Sequence, residues 1–392
     1  PGCVSILLDG GDEFQGTPAS NLTYGRSVVP IMRELGVAAS ALGNHEFDWG
    51  VDTLRARMRE TPYAILGANV RTTDGRRVPW LRDDTLVVRQ GLRIGIVGVA
   101  DPATPRTTRA LNVAGLRFDP LPPVIDARAR ALRARGADVV VVTAHLGGYC
   151  DRDRDNDPGS GGASAAPVAC TGEVFDLARA LTEPVSAIVS GHSHSKVATV
   201  VNGIAITQGR SSGRGLGIID VPLDGGAPTA SFREVIADSA GPAPARVAAL
   251  VRRAVDDVRA TIERPVADVA DAMPREPDEQ YALGNLIADS QRWATRSDIA
   301  VMNNGGIRTG LAAGPATFGA LLEIQPFGNT LYVLSVRGRD LKPYLARLVS
   351  RNRPRWHVSG VALAFDSTRT GDDRLVSATL DGGRALEDDR VY

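Results

Sequence analysis

The sequence predicts an α/β protein in two parts: β-sheets flanked by helices over 1–238, a linker helix over 239–262, and a second, smaller α/β domain over 263–392. Three observations carry this. The 392 residues exceed what one core ordinarily uses, so two domains are expected. Six short Val/Ile/Leu-rich runs in the first part alternate with helix-like segments, the pattern of a layered α/β architecture. A Pro/Gly/Ala-rich stretch, "SAGPAPA" (239–245), then breaks that rhythm.

The six runs are "VSILL" (4–8), "VAASAL" (37–42), "YAILGAN" (63–69), "RIGIVGVA" (93–100), "ADVVVVTAHL" (137–146) and "VSAIVSGH" (185–192). Continuous apolar runs of this length suit strands buried on both faces. Between them, "RSVVPIMRELG" (26–36) and "PVIDARARALRARG" (123–136) read as helices, each ending on a glycine that can take the left-handed C-cap conformation. In the linker, Val247, Leu250, Val251, Val255 and Val258 recur every three to four residues and predict an amphipathic helix. Beyond it, "YALGNLIADSQRWAT" (281–295) reads as a helix. "DIAVMNNGG" (298–306) reads as a strand running into a turn, and "NTLYVLSVRGRDLKPYLARLV" (329–349) as strand, turn and helix.

Composition excludes several function classes. Lys+Arg and Asp+Glu are both 45, for a formal net charge of zero. Lys196 and Lys342 are the only lysines, and the arginines are scattered. An extended nucleic-acid footprint needs a basic cluster, so none is expected. No apolar run approaches the ~18 residues of a membrane span. Cys150 and Cys170 bracket the polar stretch "DRDRDNDPGSGGASAAPVA" (151–169), which cannot hold itself by core burial. A disulfide closing this loop would indicate an oxidising compartment; the alternative is two unrelated thiols.

The chemistry gathers at strand ends. "GGDEFQG" (10–16), "GNHEFD" (43–48), "AHLGG" (144–148) and "SGHSHS" (190–195) each follow an apolar run. In open α/β sheets the C-terminal strand edge is where ligands collect. Four of the five histidines, His45, His145, His192 and His194, fall in these blocks. Singly each would be an ordinary histidine; four on one edge point to a site. Asp, Asn and His form a mixed oxygen/nitrogen ligand set for Mn, Zn or a similar divalent ion. Two such ions ~3.5–4 Å apart can clamp an in-line displacement at phosphorus. Asn44 can ligate without adding charge. His45 then faces the substrate, kept protonated by Asp48 three residues on, as a general acid or a clamp on the phosphate oxygens.

These four blocks resemble the successive signatures of the calcineurin-like metallophosphoesterases. With "LGNLIAD" (283–289), "NNGGIR" (303–308) and "PFGN" (326–329), the chain resembles the 5′-nucleotidase/UDP-sugar hydrolase family over nearly its whole length. The resemblance implies a layered metallophosphoesterase domain followed by a nucleotide-recognition domain. It implies two divalent metal ions and in-line attack of metal-bound hydroxide on nucleoside 5′-phosphates. Asp12 would bridge the metals; Asn44, His145 and His192 would complete one, and His194 would serve the other. His45 and Asp48 would be the catalytic pair. Asn303, Gly305, Gly306, Arg308 and Asn329 would form the substrate side, and Phe327 would stack on the base. Arg275, the nearest arginine upstream of "LGNLIAD", would join them, although its spacing departs from the family's pattern. Without the resemblance, Phe327 is a core aromatic before a turn and Arg308 a surface residue.

The family also expects an Asp-x-His pair on a first strand and a further aromatic and aspartate near the C-terminus, which these 392 residues lack. Both ends therefore read as cut, leaving each domain incomplete and the second metal site with Asp12 and His194 alone. The expected protein is bacterial, periplasmic or secreted, and binds a nucleotide substrate. UDP-sugar hydrolysis, 2′,3′-cyclic nucleotide hydrolysis and action on sulfur-containing substrates are rivals within the enzyme class. The rival outside it is a protein that binds nucleotides on an inherited scaffold.

Overall fold

The computed structural model describes residues 3–150, 169–236, 241–276, 280–350 and 356–392. The chain forms two compact units, Pro1–Asp257 and Val258–Tyr392. Most of the polar stretch between Cys150 and Cys170, from 151 to 168, lies outside the described residues.

The first unit is built on two sheets. Strands Leu7–Asp9, Val37–Ala41 and Ala64–Leu66 form a three-stranded parallel sheet. The second sheet has six strands in the order Lys196–Val201, Ile204–Gly209, Ala187–Ser190, Val139–Ala144, Leu92–Val99 and Asp84–Arg89. Its four inner strands are parallel, with Ile188 beside Val142 and Ile94 beside Val139. The two outer strands pair antiparallel.

The continuous apolar runs follow from this layering. Side chains alternate along a strand. In Val139–Ala144, Val140, Val142 and Ala144 join a core with Ile125, Leu132 and Phe175 from the helices Leu121–Ala134 and Glu173–Ala180. Val139 and Val141 instead meet Ala39, Leu66, Ile94 and Ile96 between the two sheets. A third core, around Phe14, Leu42, Phe47 and Leu54, underlies the helices Val29–Leu35 and Gly50–Glu60. The layers are therefore helix, sheet, sheet, helix, as the sequence predicts.

Pro30 in the first turn of Val29–Leu35 sets that helix start, since proline has no N–H to contribute further in. Gly36, at φ 75°, ends it in the left-handed conformation. The linker helix resolves into Ala245–Asp256, within the first unit, and a short helix Arg259–Ile262 in the second. Arg246 ties the former to Glu34 at 3.0 Å.

The second unit is also mixed. Pro265–Val269 pairs with Gly314–Thr317, and Ala300–Asn303 with Trp356–Ser359, both antiparallel. Val361–Phe365, Leu375–Leu380 and Arg384–Ala385 form an antiparallel meander. Helices Ala282–Thr295, Phe318–Ile324 and Gly338–Leu348 cover these strands. The strand expected at the start of "NTLYVLSV" does not form. Val336 exchanges both backbone hydrogen bonds with Tyr392, but Leu331–Leu334 pair with no described strand, and Tyr332 and Leu334 are 80% and 72% exposed. β-propensity without a partner backbone leaves a segment extended and unpaired. Among the described residues no helix is long and apolar enough to cross a membrane.

Candidate metal centre and the NNGGIR turn

Each block follows the C-terminal end of a parallel strand: Asp12 after Leu7–Asp9, Asn44 to Asp48 after Val37–Ala41, His145 after Val139–Ala144, and His192 and His194 after Ala187–Ser190. Asp12, His192 and His194 have φ of 63°, 74° and 59°. These are left-handed conformations that non-glycine residues adopt at a cost, and they cluster at functional sites.

His145 is the hub, with none of its surface exposed. Its Nδ1 lies 2.8 Å from the Gly10 carbonyl. A carbonyl only accepts, so Nδ1 carries the proton and donates. Nε2 then faces Asn44 Oδ1 at 3.0 Å, Asp12 Oδ2 at 3.1 Å and His192 Nδ1 at 3.1 Å. Asn44 Nδ2 donates to the Thr107 carbonyl at 3.0 Å, which fixes the amide with its oxygen turned inward. All four inward atoms can present a lone pair, and such a ring is stable only around a proton or a cation.

Without a cation, a proton fills the role. Burial opposes charge on His145, but the Asp12 carboxylate outweighs it and the imidazole is pushed up to about 9. Asp12 is driven far below the usual carboxylate range by His145 and His45, against its own burial. The ligand atoms of Asp12, His145 and His192 lie within 4.8 Å of one another. Two imidazole nitrogens, a carboxylate and an amide oxygen suit a borderline divalent ion. The His145–Gly10 bond is the outer contact by which ligating histidines are oriented. The residues therefore fit a metal. His194 stands outside that three-residue cluster.

His45 Nδ1 lies 2.7 Å from Asp48 Oδ2. Burial disfavours the imidazolium, yet the Asp48 bond and the Asp12 charge together raise His45 above its ordinary value. The backbone N–H of His45 donates to Asp12 Oδ1 at 2.9 Å, bringing the first two blocks together. Gly43 permits this approach, because a Cβ there would fall on the Asp12 carboxylate and backbone.

Sequence reasoning passed over three neighbours. Glu46, 1% exposed, accepts the N–H groups of Gly43 at 2.7 Å and Asp12 at 2.9 Å. Burial, then the Asp12 charge, pushes it up to about 7. Glu13, half-buried, accepts from the Tyr63 hydroxyl at 2.6 Å; desolvation holds its carboxyl well above the usual range. Asp101 Oδ2 lies 3.8 Å from His192 Nε2. Asp101 follows the strand Leu92–Val99, so the strand-end rule that found the other blocks also reaches it.

In the second unit the predicted substrate-side residues converge. Asn303 ends a strand, and Asn304–Gly306 makes one 3₁₀ turn. Arg308 donates to the Gly305 carbonyl at 3.2 Å, and its guanidinium carbon lies 5.2 Å from the Phe327 ring centre. Arg275, despite its spacing, reaches the same turn, its Nε donating to the Ile307 carbonyl at 2.6 Å. Tyr281, not singled out from sequence, fixes the turn from behind by donating to Asn304 Oδ1 at 2.6 Å. Asn329 is exposed beyond Gly328. Cys150 and Cys170 form a disulfide. The reciprocal Ser193–Gly148 hydrogen bonds, at 2.9 and 3.0 Å, attach the His192–His194 turn to the strand entering that disulfide.

Comparison with known proteins agrees with this arrangement. Residues 259–392 match the family model of the 5′-nucleotidase C-terminal domain. The chain is 27% identical over 411 residues to Endonuclease YhcR of Bacillus subtilis, covering 99% of this chain but only 32% of that protein. It is 24% identical over 433 residues to a 5′-nucleotidase of Vibrio cholerae, covering 99% of this chain and 75% of that one. The crystal structure of a 5′-nucleotidase precursor from Thermus thermophilus superposes with a TM-score of 0.79 at 27% identity, covering 99% of this chain and 78% of that one. The layered fold, the ordered strand-end blocks and the matched second unit lead to one conclusion: residues 259–392 carry a 5′-nucleotidase C-terminal domain, and the chain is similar over nearly its whole length to 5′-nucleotidases.

Proposed function

We propose that this chain hydrolyses nucleoside 5′-phosphates to nucleoside and phosphate in a metal-dependent reaction outside the cytoplasm. The observation that carries the reading is the ring of inward-facing atoms around His145 Nε2, a donor set made for a divalent cation. A cation held by Asp12, Asn44, His145 and His192 would activate water and offset charge on the phosphate. Asp12, with His194, would reach towards a second ion. His45, anchored on Asp48 through Nδ1, would keep a proton on Nε2 and donate it to a phosphate oxygen or the departing alcohol oxygen. In the second unit, Phe327 would stack on the base. Asn303, Gly305, Gly306, Arg308, Asn329 and Arg275 would meet the remaining polar groups. The disulfide suits an oxidising compartment, and the relatives' names include a precursor 5′-nucleotidase and a cell wall protein.

The test is phosphate release from AMP, UDP-glucose, 2′,3′-cyclic AMP and an aryl phosphate, with Mn²⁺ or Zn²⁺, for wild type and His45→Ala. Metal-dependent cleavage of AMP that is lost in the variant is the expected result. Activity confined to the aryl phosphate would overturn the nucleotide assignment. Tight nucleotide binding without turnover would make the chain a binding protein.

A further inference from the structure

The segment following strand Leu92–Val99 belongs to none of the blocks found from sequence, yet it touches the "GNHEFD" turn at several points across about sixty residues of chain. It begins with Asp101, whose Oδ1 accepts from Ala103 N at 2.8 Å and whose carbonyl accepts from Thr104 Oγ1 at 2.6 Å. The short helix Thr104–Thr107 follows, then a 3₁₀ turn, Ala110–Val113. The Thr107 carbonyl fixes the Asn44 amide at 3.0 Å. Asn112 Nδ2 donates to the carbonyls of Phe47 at 2.8 Å and Asp48 at 3.0 Å. Between them, Thr108 Oγ1 donates to Asp48 Oδ1 at 3.1 Å.

That last contact differs in kind from the others. The Asp48 side chain is 7% exposed and its other oxygen, Oδ2, faces His45 Nδ1 at 2.7 Å. One donor on each oxygen holds the carboxylate plane against rotation. With a single donor, a carboxylate swings about its own axis and carries the imidazole with it. Asn112 binds the Asp48 backbone rather than its side chain, so His45 and Thr108 hold the side chain through its two oxygens.

We propose that Thr108 is a positioning residue: by holding Asp48 Oδ1 it sets the orientation of the His45 imidazole, making Thr108, Asp48 and His45 a three-membered relay of fixed geometry. The proposal rests on the reading of His45 given above and deepens it. Thr108 touches no substrate. Its loss lowers the fraction of molecules with His45 in the working orientation, which reduces turnover without changing how substrate or metal binds.

The test compares Thr108→Val, which keeps the shape and removes the donor, with Thr108→Ser, which keeps the donor. Expected for Thr108→Val is a kcat about ten- to thirty-fold lower, with KM, metal affinity by calorimetry and unfolding midpoint close to wild type; Thr108→Ser restores kcat. A second readout needs no turnover. In metal-free protein the His45 Nδ1–H, bonded to Asp48, gives a downfield proton resonance assignable by its loss in His45→Ala; it shifts or broadens in Thr108→Val and persists in Thr108→Ser. Wild-type kcat and resonance in Thr108→Val overturn the inference and leave the functional reading intact. A lowered midpoint unrescued by serine also overturns it, by making Thr108 merely structural. Full activity in His45→Ala would instead strike the functional reading, while the resonance still decides whether Thr108 orients His45.

Discussion

Glu46 Oε2 accepts the backbone N–H of Asp12 at 2.9 Å, and the same oxygen accepts Gly43 N–H at 2.7 Å. One buried carboxylate oxygen thus pins together the two loops that present Asp12 and Asn44. Glu46→Ala should cost about 3 kcal/mol or more, because it strands two buried donors at ~1–3 kcal/mol each. Glu46→Gln, which keeps an acceptor oxygen, should cost markedly less. Urea unfolding of the metal-free proteins checks both.

Metal affinity should depend on pH through His145. The group's folded value, about 9, lies above its ordinary 6.5, so the metal-free fold gains stability from the proton below pH 6.5. That gain, on the order of 3 kcal/mol, is lost as pH rises through about 9. A metal must displace the same proton, so its affinity should rise roughly tenfold per pH unit up to about 9 and level off beyond. Titration calorimetry across pH 6.5–9.5 reads the slope, and unfolding with and without chelator reads the opposite trend in the metal-free protein.

Calorimetry at fixed pH should find one tight divalent site in these 392 residues, since the described residues hold one three-residue ligand cluster. His145→Ala should abolish it and His194→Ala should leave it. Two tight sites, or one that survives His145→Ala, would contradict the assignment.

Phe327→Ala should raise KM for AMP by about tenfold, in line with ~1–3 kcal/mol for base stacking, and leave an aryl phosphate unaffected. Arg308 packs its guanidinium on the same ring, so double substitution should cost less than the sum of the two single losses.

Breaking the Cys150–Cys170 bond by Cys→Ser at both positions should destabilise the first unit by about 3 kcal/mol, the loop-closure value for a sequence separation of 20. Through Gly148 and Ser193 the loss should also weaken metal binding at His192. Reduction of the wild type by dithiothreitol should reproduce both effects.

Much of the centre was legible because its residues sit at strand ends, where apolar runs stop and polar residues begin. Asp12, Asn44, His145 and His192 are all found that way. What escaped acts across distance. Glu46 lies inside "GNHEFD" but works on Asp12, 34 residues away, and Thr108 meets Asp48 from 60 residues away; neither pairing has a local pattern. The outer strands Asp84–Arg89 and Lys196–Val201 were missed because their positions are mostly half-buried or exposed and carry weaker apolar runs, and the inner strand Ile204–Gly209 because Thr207 and Gln208 interrupt its apolar run. "LYVLSV" was misread in the other direction. Its composition is that of a strand, but strand formation also needs a neighbour, which composition does not supply.

That stretch has a practical consequence. Leu331 to Leu334 offer open backbone and large apolar side chains to the solvent, the combination from which soluble proteins begin to precipitate. Preparations of this chain should stay clear when dilute and turn turbid on concentration. Lysine in place of Tyr332 or Leu334 should extend the clear range while leaving phosphate release unchanged, so handling and chemistry can be improved independently.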